Sequence, residues 1–191
     1  MFIDRAKIIV VSGAGGDGMV SFRREKYVPR GGPSGGDGGK GGSVFIKANS
    51  DLNTLINFRR HRKFAAKAGV NGGAKEMFGK NAEDVFVEVP LGTMVYDNKT
   101  GELLADMTQN GQEALIVKGG HGGRGNSHFA TSAVRAPLYA EKGEPGEEKE
   151  VQLTEMGGRQ RVFGLNDLTR AQATDDTKAA SMETAKLKGF L

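Results

Sequence analysis

Neither an α-helix nor a regular strand can be built from residues 31–42, whose sequence is GGPSGGDGGKGG. Each glycine loses so much chain entropy on ordering that both elements become costly. Read in triplets, the glycines still keep register: Gly32, Gly35, Gly38 and Gly41 form one series, with Gly36, Gly39 and Gly42 beside it. A polyproline II helix has about three residues per turn, so this spacing lays an edge without side chains along the segment. Other backbones can approach such an edge closely.

A single glycine-rich run would read as a flexible linker. Here the spacing recurs in Gly13 and Gly16 with Gly15 and Gly18, in residues 69–73, and in Gly119, Gly122 and Gly125 with Gly120 and Gly123. A polyproline II helix makes no internal hydrogen bonds, so several packed side by side can satisfy one another's amides and carbonyls across those edges. The expectation is a glycine-edged bundle. Asp17, Asp37, Lys40, His121 and Arg124, which lie between glycines, should point outward.

At 191 residues the chain is long enough for one domain, or one domain and a tail, and 37% hydrophobic content allows a modest core. No apolar run reaches membrane-spanning length, and MFIDRAKIIVV carries charges where a signal peptide needs an unbroken apolar stretch. Without cysteine there is neither a disulfide framework nor a thiolate metal site. A cytoplasmic location is the expectation. The net charge of +4 hides an asymmetry: residues 1–80 hold 15 Lys and Arg against 6 Asp and Glu, and residues 81–191 hold 12 against 17. The basic half should face an anion.

Strands are predicted at Ala6–Val11, Met19–Phe22 and Ser43–Lys47, followed by one or two helical turns over DLNTLINF with Asp51 as a cap. Alternation over 58–64 sets Phe58, Arg60, Arg62 and Phe64 on one side of a further strand, so charge does not segregate there. In DVFVEVP, Val85, Val87 and Val89 face inward. TMVYDNKTGELLAD reads as a hairpin turning at Asp97–Gly101, EALIVK follows as a strand, and EKEVQL closes the series at Leu153. Many short strands and little helix predict a mainly β fold, a sandwich or barrel base carrying the bundle over residues 1–153. Residues 154–191 are polar and lack alternation, with one marginal helix over Thr177–Lys188. A weakly ordered linker, an interaction tail or a cloning remnant suits them equally.

Catalytic signals are thin. The pattern GxGxxG occurs at Gly13-Gly15-Gly18, at Gly36-Gly38-Gly41 and at Gly120-Gly122-Gly125, as triplet-spaced glycine pairs must produce, and no amphipathic helix follows any of them. Gly-Lys is followed by Gly41 in one place and by Asn81 in the other, never by Ser or Thr, so no phosphate-binding P-loop is present. His61, His121 and His128 lack a tight ligand spacing, and no metal site is expected. Asp17 and Asp37, each before a glycine, read as turn acids.

Basic segments carry more. A solvated charged face is the competing reading, but Phe22, Tyr27, Phe58, Phe64 and Phe78 are interleaved with the cations. Cations contact phosphates and aromatics stack on unpaired bases, which suits structured RNA. Tyr27 and Phe78 are assigned to loops, the other rings to packing.

MFIDRAKI, GGDGMVSFRREKYVPRGGPSGGDGGKGG, NAEDVFVEVPLGTMVYD, VKGGHGGRGNSHFAT and EKGEPGEEKEVQL together resemble the N-terminal glycine-rich domain of the Obg (CgtA) family of ribosome-associated GTPases, over about residues 1–153. The resemblance implies a β base bearing six left-handed polyproline II helices, whose loop tips contact RNA of the large ribosomal subunit. It also implies a role in late assembly of that subunit and in stress control. RNA would be met by Arg23, Arg24, Lys26, Tyr27, Arg30, Lys75, Lys80, Arg124 and Arg135, on a frame held by Gly13, Gly16, Gly32, Gly35, Gly38, Gly41, Gly119, Gly122 and Gly125. After Leu153 the family pattern stops. GTP and Mg²⁺ would belong to a GTPase domain, so no cofactor is expected on this chain. The expected partners are the large ribosomal subunit with its RNA and a separate GTPase domain, bound by a monomer. Two competing functions are a piece of a GTP-hydrolysing enzyme and a protein-binding scaffold.

Overall fold

Alternation of β-branched side chains, which suit a half-buried pleated surface, sets the base of the molecule. The computed structural model describes residues 5–24 and 31–155. Its strands are β1 (Arg5–Val11), β2 (Val44–Asn49), β3 (Lys63–Ala65), β4 (Val85–Pro90), β5 (Thr93–Asp97), β6 (Leu103–Met107), β7 (Glu113–Val117) and β8 (Glu148–Glu155), with 3₁₀ turns at Leu55–Arg59 and Asn126–Phe129. A five-stranded sheet has the order β3-β1-β8-β5-β6 and a three-stranded sheet the order β4-β2-β7. Both are mixed, with β1–β3 and β2–β4 parallel and the other pairs antiparallel.

The two sheets contribute to a single core. Ile8 and Val10 of β1, Val95 of β5 and Val151 and Leu153 of β8 meet Val44 and Ile46 of β2 and Val87 and Val89 of β4 in one buried cluster. Truncating such a side chain to alanine costs about 2–5 kcal/mol. On the outer face of the smaller sheet, Phe45 stacks on Phe86 with ring centroids 5.3 Å apart, and the Lys47 ammonium lies 5.7 Å from the Phe86 centroid. Lys47 Nζ also donates to Glu113 at 2.8 Å, and that carboxylate holds the lysine above its ordinary pKa.

Several sequence expectations are corrected. Residues 55–59 form a 3₁₀ turn capped by Thr54, whose Oγ1 accepts the Ile56 amide, and Asp51 plays no capping part. Leu55 and Phe58 are buried three residues apart, as a tight turn requires. No strand runs through 58–64. Phe58 leaves from the turn and Phe64 from β3, their rings meet edge to face at 5.9 Å, and Arg59, Arg60 and Arg62 stay exposed, so the charge does segregate. Met19–Phe22 makes no strand beyond an isolated bridge from Phe22 to Pro33. β8 runs on to Glu155, where it still pairs with Thr93. The strands belong to one compact unit, Met1–Glu155, and the tail from Met156, with its expected helix, lies outside the described residues.

The hairpin between β5 and β6 turns where the sequence puts it. Gly101 takes φ of 73°, a left-handed conformation that glycine adopts without strain, and its amide donates to the Asp97 carbonyl at 2.8 Å. Asp97 Oδ1 accepts the amides of Lys99 at 2.7 Å and Thr100 at 3.3 Å. The Lys99 amide is the main cause that draws the Asp97 carboxyl below its ordinary value of 3.8; partial burial opposes it, while the Thr100 amide and the charge of Lys149 add to it. A carboxyl with a depressed folded pKa stabilises above its unfolded pKa, and that stability fades as the pH falls through the folded value. Urea midpoints of the parent and Asp97→Asn should therefore differ by a constant amount at neutral pH and converge once the pH drops below 3.8.

Candidate nucleic-acid interface

Above the base, segments 12–19, 34–43, 66–73, 77–84, 118–126 and 141–147 run outside helix and strand, apart from the short turn that opens at Asn126, and bond to one another through their backbones. In the first segment the partner alternates with a period of three. Ser12, Gly15 and Gly18 donate to Glu147, Glu144 and Glu141, while Gly13, Gly16 and Met19 donate to Gly42, Gly39 and Gly36, all at 2.8–3.0 Å. The second segment continues the rule, with Gly38 and Gly41 donating to Gly123 and Gly120, and Gly36, Gly39 and Gly42 donating to Gly73, Val70 and Lys67. Gly120 and Gly123 return bonds to Gly13 and Gly16.

Contacts this close leave no room for a side chain. A Cβ on Gly38 would enter the Gly16 carbonyl, one on Gly41 the Gly13 carbonyl, one on Gly122 the Gly38 carbonyl and one on Gly125 the Gly35 carbonyl, each nearer than the 3.0 Å that real Cβ atoms keep. Gly13, Gly16, Gly35 and Gly119 are equally hemmed in. Gly32 is the exception and corrects the expectation: nothing lies within 4 Å of where its Cβ would be. Gly143 and Gly146, which the glycine pattern left out, pack on the Gly15 and Ser12 carbonyls. Their triplet spacing in EKGEPG was the available signal.

Amides that find no carbonyl are met by side-chain oxygens. Asn71 accepts from Asp17, Asn81 from Lys40, Asp84 from Ser43, Glu144 from His121 and Glu141 from Arg124, at 2.6–3.3 Å. Asp17 and Asp37 are not turn acids and do not simply point outward: they accept the amides of Gly143 at 2.8 Å and Gly125 at 2.7 Å. These acids complete the frame because a backbone donor left without a partner is costly.

The cations remain on the surface. Arg23, Arg24, Lys75, Lys80, Arg124 and Arg135 are all exposed, and so are Lys40 and Lys67. Arg23 reaches Glu76 at 3.8 Å, which brings it beside Lys75. Lys75 and Glu76 both have φ of 58°, turning the chain so that the Gly73 amide reaches the Met77 carbonyl. Arg124 lies 4.0 Å from Glu141. Lys80 and Lys67 line a groove of about 320 Å³ between segments 65–70 and 80–85. Phe78 is a loop residue, 71% exposed. Lys26, Tyr27 and Arg30 lie outside the described residues.

Cation-bearing loops on a frame of interlocked backbones define a glycine-scaffolded β domain. The chain belongs to the GTP1/OBG family, whose pattern matches residues 3–156. It is 60% identical to GTPase Obg of Streptococcus uberis over 153 residues, 59% to that of Halalkalibacterium halodurans over 153 and 57% to that of Lactobacillus helveticus over 152, in each case across 80% of this chain. It spans only 35–36% of the length of these relatives.

Gly41→Ala should lower stability by about 3 kcal/mol or more, since the Gly13 carbonyl is backbone and cannot step aside. Gly32→Ala should change it by less than about 0.5 kcal/mol. Urea unfolding of the two variants beside the parent checks both.

Proposed function

We propose that this chain is the docking module of an Obg-type GTPase, binding RNA of the large ribosomal subunit in the cytoplasm during late subunit assembly. It binds as a monomer, and hydrolysis of GTP with Mg²⁺ belongs to a GTPase part beyond this region. The observation that carries the reading is the division of labour among charges. Asp17, Asp37, Asp84, Glu141 and Glu144 are held in place by backbone amides, and Arg24, Lys75, Lys80 and Arg135 stand exposed with no ion pair among the described residues. A surface of this kind gives a phosphate backbone free cations at fixed separations.

The same reading takes the glycine segments as a bundle of polyproline II helices. The period-three donor pattern supports it, as do the backbone angles of Gly125, φ −70° and ψ 165°. Stiffness matters because cations on a rigid frame lose little conformational entropy on meeting RNA.

The outer face of the smaller sheet favours a second partner. Phe86 and Leu115 are about half exposed beside the charge-balanced Lys47–Glu113 pair, a chemistry suited to protein rather than RNA. Co-sedimentation with purified large ribosomal subunits should weaken steeply as salt rises, and Arg23→Glu with Arg24→Glu should cost at least about tenfold in affinity. Salt-independent binding, or equal binding by a folded double variant, would remove the RNA reading.

A further inference from the structure

Each of the four residues of the 3₁₀ turn Asn126–Phe129 is tied to chain outside the turn, in three pieces at 19–21, 35–37 and 137–139. Asn126 is fully buried although polar. Its Oδ1 accepts the Gly35 amide at 2.8 Å and the Ser21 amide at 3.4 Å. Its Nδ2 donates to the Ser21 carbonyl at 3.0 Å and to the Pro137 carbonyl at 3.1 Å. Its backbone amide donates to Met19 at 3.0 Å. Ser127 Oγ donates to the Gly35 carbonyl at 2.8 Å, His128 Nε2 lies 2.9 Å from Asp37 Oδ2, and the Phe129 ring meets that of Tyr139 at 5.0 Å.

The tied pieces are the ones that lead to exposed cations. Ser21 precedes Arg23 and Arg24, and Pro137 and Tyr139 follow Arg135. Residues 131–136 are exposed throughout, so Asn126 and Phe129 are the anchors that the described contacts give this loop at its return. We propose that Asn126 is a positioning residue for RNA docking: it touches no RNA itself and sets the separation between the Arg23–Arg24 loop and the Arg135 loop. Asparagine suits the post because one planar amide accepts from one side and donates from the other. Aspartate, of nearly the same shape, cannot donate to Ser21 and Pro137, and sets a carboxylate against two carbonyl oxygens.

This inference rests on the docking reading above, and the test separates the two. Because the chain has no cysteine, Val20→Cys and Ser132→Cys allow two specific spin labels whose separation reports the spacing of the loops. The parent should give one narrow distance distribution, and Asn126→Asp a broad one in a domain that still unfolds cooperatively. Without the labels, Asn126→Asp should bind large ribosomal subunits about tenfold more weakly, with a shallower dependence of log affinity on log salt, because fewer phosphates are engaged together. A purely structural residue would reduce the folded fraction and leave that slope unchanged, which would overturn the proposal, as would an unchanged distance distribution. Should Asn126→Asp not fold, Phe129→Leu, which removes the ring partner of Tyr139, is judged by the same two readouts. Failure of the parent itself to bind subunits would sink the docking reading instead.

Discussion

The structure depends on one constraint: an amide and a carbonyl from different segments meet at about 2.9 Å only where no Cβ stands between the chains. Gly13, Gly16, Gly38, Gly41, Gly120 and Gly123 meet it along facing edges, and the bonds among them replace the internal ladder that a helix or sheet would supply. Glycine is usually chosen for conformational freedom. Here it is chosen for thinness, and the entropy lost in ordering it is offset by backbone hydrogen bonds shielded from water.

From that constraint follows the use of acids and amides between the glycine segments. An extended segment with neighbours on several sides still leaves some donors facing solvent or a gap, and Asn71, Asn81, Asp84, Glu141 and Glu144 close those positions. The carboxylates among them keep their charge and, as at Asp84, Glu141 and Glu144, stay exposed, so the frame fixes where negative as well as positive charge lies on the surface. Frame and electrostatic surface are therefore the same arrangement viewed from inside and from outside.

Much of the base was legible because strand alternation is a local signal. Val85, Val87 and Val89 turn inward as read, and Asp97–Gly101 turns the hairpin. Local reading failed where a tertiary contact overrides periodicity: Phe58 and Phe64 fit one face of a strand, yet they leave from a 3₁₀ turn and from β3 to reach the same core. It also misjudged Asp17 and Asp37. An acid before glycine is commonest in turns, and nothing in the local sequence announces that Gly143 and Gly125 supply the amides those carboxylates accept.

What the sequence alone determined is the repeat: glycines in triplets, bounded by β-branched strands, oblige the chain to pack backbone against backbone above a small apolar core. Which edge meets which, that Gly32 faces open space while Gly143 and Gly146 join the frame, and that Asn126 gathers three loops were decided by the tertiary structure alone. The physical reason is that glycine edges are chemically identical. Their partners are selected by the register of the strands beneath them and by the few side-chain oxygens that each neighbouring segment can offer.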